Sequence, residues 1–127
     1  MFILQFPLFR SLAVLVAVTL YLLILFGSVS TELGPPNLFS HFDKFVHMTA
    51  WAILAAVSVL ALRHRQACLI GAVLLFVSSG AVELVQAYIP GRTASYGDLL
   101  ANALGIFLGG FLAWSYIWQR LTTHTQA

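Results

Sequence analysis

The stretch ACLIGAVLLFVSSGAVELVQAYI, from Ala67 to Ile89, decides how the chain folds. A helix needs ~20 predominantly apolar residues to cross ~30 Å of hydrocarbon, and this stretch supplies them with one acidic side chain, Glu83, inside it. A carboxylate at the bilayer centre costs about 2.5–3.5 kcal/mol on insertion scales, so such residues face a partner or a cavity rather than lipid. What Glu83 faces is the question from which function has to be argued.

Three more apolar stretches accompany it: Leu12–Val29, Phe45–Leu62 and Leu99–Trp118. They explain why the 127-residue chain is 61% hydrophobic and 8% charged, with mean hydropathy +0.95, when soluble domains are nearer half apolar. The reading is all-α: an integral membrane protein of four transmembrane helices, one domain over residues 1–127. Short connections make neighbouring helices antiparallel and adjacent, giving a bundle. Arg10 before an apolar run resembles a secretory leader, but the run exceeds the ~7–15 residues of a leader core and reads as a retained helix. Ahead of it Phe2, Ile3, Leu4, Phe6, Leu8 and Phe9 are expected in the membrane interface. Cys68, the only cysteine, has no disulfide or metal-ligand spacing and reads as a small buried hydrophobe.

Positive charge sets the expected sidedness. Arg10 precedes the first stretch, Arg63 and Arg65 fill the second connection, and Arg120 follows the fourth stretch, so the positive-inside rule puts these sites and both termini in the cytoplasm. The connections from about Ser30 to His41 and from Pro90 to about Ser95 then face outward. A net charge of +2, scattered along the chain, is too small to suggest nucleic acid, so no nucleic-acid partner is expected.

On this frame the polar residues fall in the outer third of the membrane. Asp43 and His47 share a face at i, i+4 with Lys44 beside them, and Asp98 and Asn102 repeat that spacing at the start of the fourth helix. Glu83 lies roughly 9 Å below Ile89 at 1.5 Å per residue, with Gln86 on the same face. Arg92 follows in a Pro90-Gly91-Arg92 turn, and Ser95-x-x-Asp98 has capping-box spacing. Two helix starts at one surface attract anions, and Lys44 and Arg92 add charge of the same sign. The expected ligand set is therefore Asp43, Lys44, His47, Glu83, Gln86, Arg92, Asp98 and Asn102 around an anionic, phosphorylated lipid head group. A divalent cation held by Asp43, His47, Glu83 and Asp98 is chemically reasonable. Plainer readings stand beside these: Asp43 and Asp98 as helix-start residues, Lys44 as a snorkelling cation, Glu83 and Gln86 as an interhelical brace.

Gly105 and Gly109 form a Gly-x-x-x-Gly pair that lets two helices approach closely, either pressing the Asp98–Asn102 stripe against the third helix or joining two copies into a homo-oligomer. Trp114, Tyr116 and Trp118 fit an interfacial aromatic belt.

Taken in order, Asp43-Lys44-x-x-His47, Glu83-Leu84-Val85-Gln86, Pro90-Gly91-Arg92 and Asp98-x-x-x-Asn102-x-x-Gly105 with Gly109 resemble the VanZ-like family of small bacterial membrane proteins, over roughly residues 43–110. The resemblance implies a multi-pass protein of the bacterial inner membrane. The family's founding member is linked to low-level teicoplanin resistance, a phenotype rather than a mechanism. A protein that binds a phosphorylated envelope lipid or cell-wall precursor at the outer leaflet is the leading expectation. The alternative is a membrane-embedded hydrolase or transferase acting on such a head group, with His47, Glu83 and Asp98 as candidate catalytic residues. A proton-coupled carrier is disfavoured, because polar groups do not continue inward.

Overall fold

A computed structural model describes residues 7–30, 38–62, 64–92 and 95–123, with residues 118 and 120–123 described by backbone alone. Four helices follow one another: α1 (Pro7–Val29), α2 (Phe42–Leu62), α3 (Arg65–Gln86) and α4 (Tyr96–Thr123). The described residues contain no strand. All four helices are long and apolar enough to cross a membrane, with mean hydropathy from 1.5 in α4 to 2.6 in α1. Yet no more than 28% of any span is buried inside the molecule. Leu69, Val73, Leu84, Phe107 and Leu112 all point outward, an apolar surface that water does not tolerate but hydrocarbon does. This is a multi-pass membrane protein.

The helix ends differ from the sequence expectation where local chemistry overrides hydropathy. α1 begins at Pro7, which suits the first helical position because its missing N–H would be unpaired there anyway. Leu8 and Phe9 of the expected interfacial segment are part of α1, while Phe2, Ile3, Leu4 and Phe6 lie outside the described residues. α2 and α4 each take their polar first turn, with Asp43 and Asp98, into the helix. α3 stops at Gln86 instead of Ile89, since Pro90 disfavours helical backbone just before it. The chain closes with tight bonds from Tyr88 N to Val85 O (3.0 Å) and Ile89 N to Gln86 O (3.1 Å). Gly91 then turns at φ +83°, a conformation that glycine adopts without strain. Of the arginines used for sidedness, Arg63 and the Arg120 side chain fall outside the description.

α2 is the central element. Its Trp51, Leu54 and Ala55 form the buried core with Ile106 of α4, and α1 (Ala17, Leu20, Tyr21, Ile24) and α3 (Ala72, Leu75) pack around it. α1 lies on α2 and α3 and makes no comparable contact with α4. The α2–α4 interface is the most extensive one, and glycine makes it so. A Cβ at Gly105 would collide with the Met48 carbonyl oxygen and one at Gly109 with that of Ala52. The glycine pair thus presses α4 onto α2, not onto α3 as the stripe had been expected to do. It serves a contact within the chain, so its close-approach face is already covered by α2. On the α3 side, a Cβ at Gly80 would meet only the Leu99 side chain at 3.9 Å.

Candidate functional site

Polar side chains gather at the end of the bundle where α2 and α4 begin and α3 ends. Lys44 Nζ lies 3.0 Å from Asp43 Oδ2 and 3.2 Å from Asp98 Oδ1, tying the first turns of α2 and α4 together. Its stem passes over Gly97, where a Cβ would meet Lys44 Cε at 2.6 Å. Ser95 caps α4 through a bond from Gly97 N to its Oγ (3.1 Å). The expected capping box is not completed by Asp98, which turns to Lys44. The Ser95 N–H instead donates to Glu83 Oε2 at 3.5 Å. A carboxylate from α3 thus sits at the positive end of α4, where negative charge is favoured.

Beneath that cap lies a buried relay. Asn102 is fully buried and Glu83 is 6% exposed. Asn102 Nδ2 donates to Glu83 Oε1 (3.4 Å), and His47 Nδ1 lies 3.1 Å from Asn102 Oδ1 and 3.7 Å from Glu83 Oε1. The Asn102 amide nitrogen faces the Glu83 carboxyl, which accepts its N–H. The amide oxygen is left for His47, whose Nδ1 must then carry the proton. Nε2 of His47 has no hydrogen-bond partner among the described residues. Because α3 ends at Gln86, Glu83 is about one helical turn, ~4.5 Å, from the helix end rather than roughly 9 Å.

Six of the expected site residues thus come together: Asp43, Lys44, His47, Glu83, Asp98 and Asn102. Gln86 and Arg92 do not join their hydrogen-bond network. Gln86 Nε2 donates to Ser28 O (2.9 Å), and Arg92 Nη2 donates to Gly27 O (2.8 Å) and to Ser30 O. Both satisfy carbonyls at the C-terminal end of α1, which lack partners within their own helix and favour cations. Arg92 Nε is buried and unpartnered among the described residues.

Sequence reasoning missed the contribution of α1 altogether. Its role is played by main-chain carbonyls, which no residue type announces, and by Tyr21, whose hydroxyl pairs with Ser78 Oγ of α3 at 2.6 Å. The result is a cavity of about 370 Å³ between α1 and α2. Leu20, Leu23 and Ile24 of α1 and Val46, Ala50 and Ile53 of α2 make its apolar wall. His47, Gln86 and Arg92 also line it. No three His, Cys, Asp or Glu side chains among the described residues are grouped to hold a metal ion, so Asp43, His47, Glu83 and Asp98 do not make the divalent site considered above. Lys44 already stands between two carboxylates, and Asp43 and Asp98 face it rather than a common centre.

No curated protein and no solved structure matches the chain. The VanZ/LLP1 family model matches residues 1–119, which adds α1 to the part that the sequence motifs had covered. With the motif residues of three helices meeting at one end of the bundle, and nearly the whole chain matched, this four-helix membrane protein belongs to the VanZ/LLP1 family.

Proposed function

We propose that the protein binds a membrane lipid with a phosphorylated head group, its chain lying along the apolar wall between α1 and α2 and its phosphate at Arg92, His47 and Gln86. The observation that carries this reading is Arg92, which lines that cavity and whose buried Nε has no partner among the described residues. Leaving such a donor unpaired costs about 1–3 kcal/mol, more for a charged group, and a phosphate oxygen would satisfy it through a charge-assisted bond. Arg92 takes the part that had been given jointly to Lys44, whose ammonium is already neutralised by Asp43 and Asp98.

Arg10 and Arg65 favour cytoplasmic termini, which would turn this end of the bundle outward and make the ligand an outer-leaflet lipid of the bacterial cytoplasmic membrane. A protein holding a cell-wall precursor there would be placed to blunt teicoplanin, in keeping with the family phenotype.

Native mass spectrometry of the purified protein is the test. A phospholipid or isoprenoid phosphate is expected to remain bound, with retention falling at least about tenfold in Arg92→Gln and in Ile24→Trp, which fills the apolar wall. Equal retention in both variants refutes the reading.

A further inference from the structure

We infer that the same cavity is catalytic and that His47 acts as a general base in hydrolysing a lipid diphosphate to the lipid monophosphate. The inference rests on the lipid-binding reading above and adds chemistry to it. The relay supplies the motive. Asn102, with no exposed surface, accepts from His47 Nδ1 and donates to Glu83, so the imidazole is held in one orientation and one tautomer. A histidine whose Nδ1 proton is committed in this way carries its lone pair on Nε2, the form a general base requires. Here Nε2 is the ring nitrogen without a described partner, and His47 lines the same cavity as Arg92.

His47 lines a mostly apolar cavity that Arg92 also lines, and Arg92 Nε has no acceptor among the described residues.

The step balances as follows. A water oxygen attacks the terminal phosphorus of the diphosphate, forming the new P–O bond, while His47 Nε2 takes one proton from that water. The bond between the terminal phosphorus and the bridging oxygen breaks, and its electron pair stays on the lipid monophosphate. The imidazolium so formed lies with Nδ1 3.7 Å from Glu83 Oε1, a carboxylate placed to stabilise its charge. It then returns its proton to the released phosphate, so the products are lipid monophosphate and inorganic phosphate. Arg92 Nε donates to an equatorial phosphate oxygen, where charge has to be held.

A diphosphate suits the site better than a monoester. The leaving phosphate departs as an anion without help, whereas an alkoxide needs a general acid. The carboxyl best placed by sequence for that task, Asp98, is held by Lys44.

The experiment measures inorganic phosphate released from a long-chain isoprenyl diphosphate by the detergent-purified full chain, beside native mass spectrometry of the same sample. The wild type is expected to release phosphate. His47→Gln, which keeps a donor for Asn102, is expected to lose phosphate release at least about 100-fold. Asn102→Ala is expected to lower the rate and displace its pH profile, because the imidazole is no longer held in one tautomer. Lipid bound by the wild type without phosphate release overturns the catalytic inference and leaves the binding reading standing. Unchanged release in His47→Gln overturns it as well. Neither binding nor release removes both.

Discussion

Glu83 accepts the backbone N–H of Ser95 at 3.5 Å, so a carboxylate on α3 completes the first turn of α4. The same side chain receives Asn102 Nδ2 on its other oxygen. A membrane helix end and a buried amide therefore depend on one acidic residue, which explains why a group so costly to bury is kept.

Replacing Glu83 by alanine should leave both donors short of an acceptor in a place with little water. Each such group costs about 1–3 kcal/mol. Glu83→Ala is expected to lower the thermal unfolding midpoint in detergent clearly, and Glu83→Gln, which keeps an acceptor oxygen, to lower it less. Equal midpoints for Glu83→Ala and the wild type would show that the carboxylate does not hold α4.

The glycines of α4 make a sharper contrast. Gly105 and Gly109 face main-chain oxygens of Met48 and Ala52, which cannot rotate aside, whereas nothing lies within 4 Å of a Cβ at Gly110. Gly105→Ala and Gly109→Ala should each cost about 1–3 kcal/mol by overpacking. Gly110→Ala should be neutral or stabilising by up to ~1 kcal/mol through helix propensity. Thermal scans of the three variants decide it, and a Gly110→Ala protein less stable than Gly105→Ala would contradict the α2–α4 contact.

The span count and most of the site were legible because they rest on patterns that survive any packing arrangement. An apolar stretch of membrane length is a helix whatever it touches, and Asp43, His47, Asp98 and Asn102 share faces through spacing alone. The destination of Arg92 was not legible. Its side chain is drawn to carbonyls of Gly27 and Ser30, remote in sequence and identical in kind to every other carbonyl. The partner of the Gly105–Gly109 stripe was equally hidden, since both α2 and α3 carry small residues and the choice depends on which backbone approaches. Asp98 misled for a third reason: its spacing from Ser95 fits a capping box, but Lys44 offers a full charge where the cap offers one N–H.

The Lys44–Asp98 ion pair does not line the cavity. The Lys44 side chain is 32% exposed and that of Asp98 is 9% exposed, so the pair is partly screened and its coupling energy should stay under about 1 kcal/mol. A double-mutant cycle of Lys44→Met and Asp98→Asn, read by unfolding in detergent, measures it. Lipid retention in Lys44→Met should stay near the wild-type level, in contrast to Arg92→Gln. A loss in Lys44→Met as large as in Arg92→Gln would return the phosphate to the head of α2.

The attachment of α1 yields the last prediction. The span of α1 is 6% buried, and its polar links among the described residues are the Tyr21–Ser78 pair and the carbonyls held by Gln86 and Arg92. Interhelical hydrogen bonds between side chains in membranes average only about 0.6 kcal/mol, because the separated helices find other partners. Tyr21→Phe is therefore expected to cost about that much, and Ser78→Ala added to it almost nothing more, since either change alone breaks the bond. Gln86→Ala should loosen α1 further, because it strips the donor from a carbonyl, Ser28 O, beside the cavity. Disulfide trapping between cysteines placed at Leu20 and Ala50, in a Cys68→Ala background, reads the change directly. Faster trapping in Gln86→Ala than in Tyr21→Phe supports main-chain capping as the stronger tether, and the reverse order assigns that role to the tyrosine.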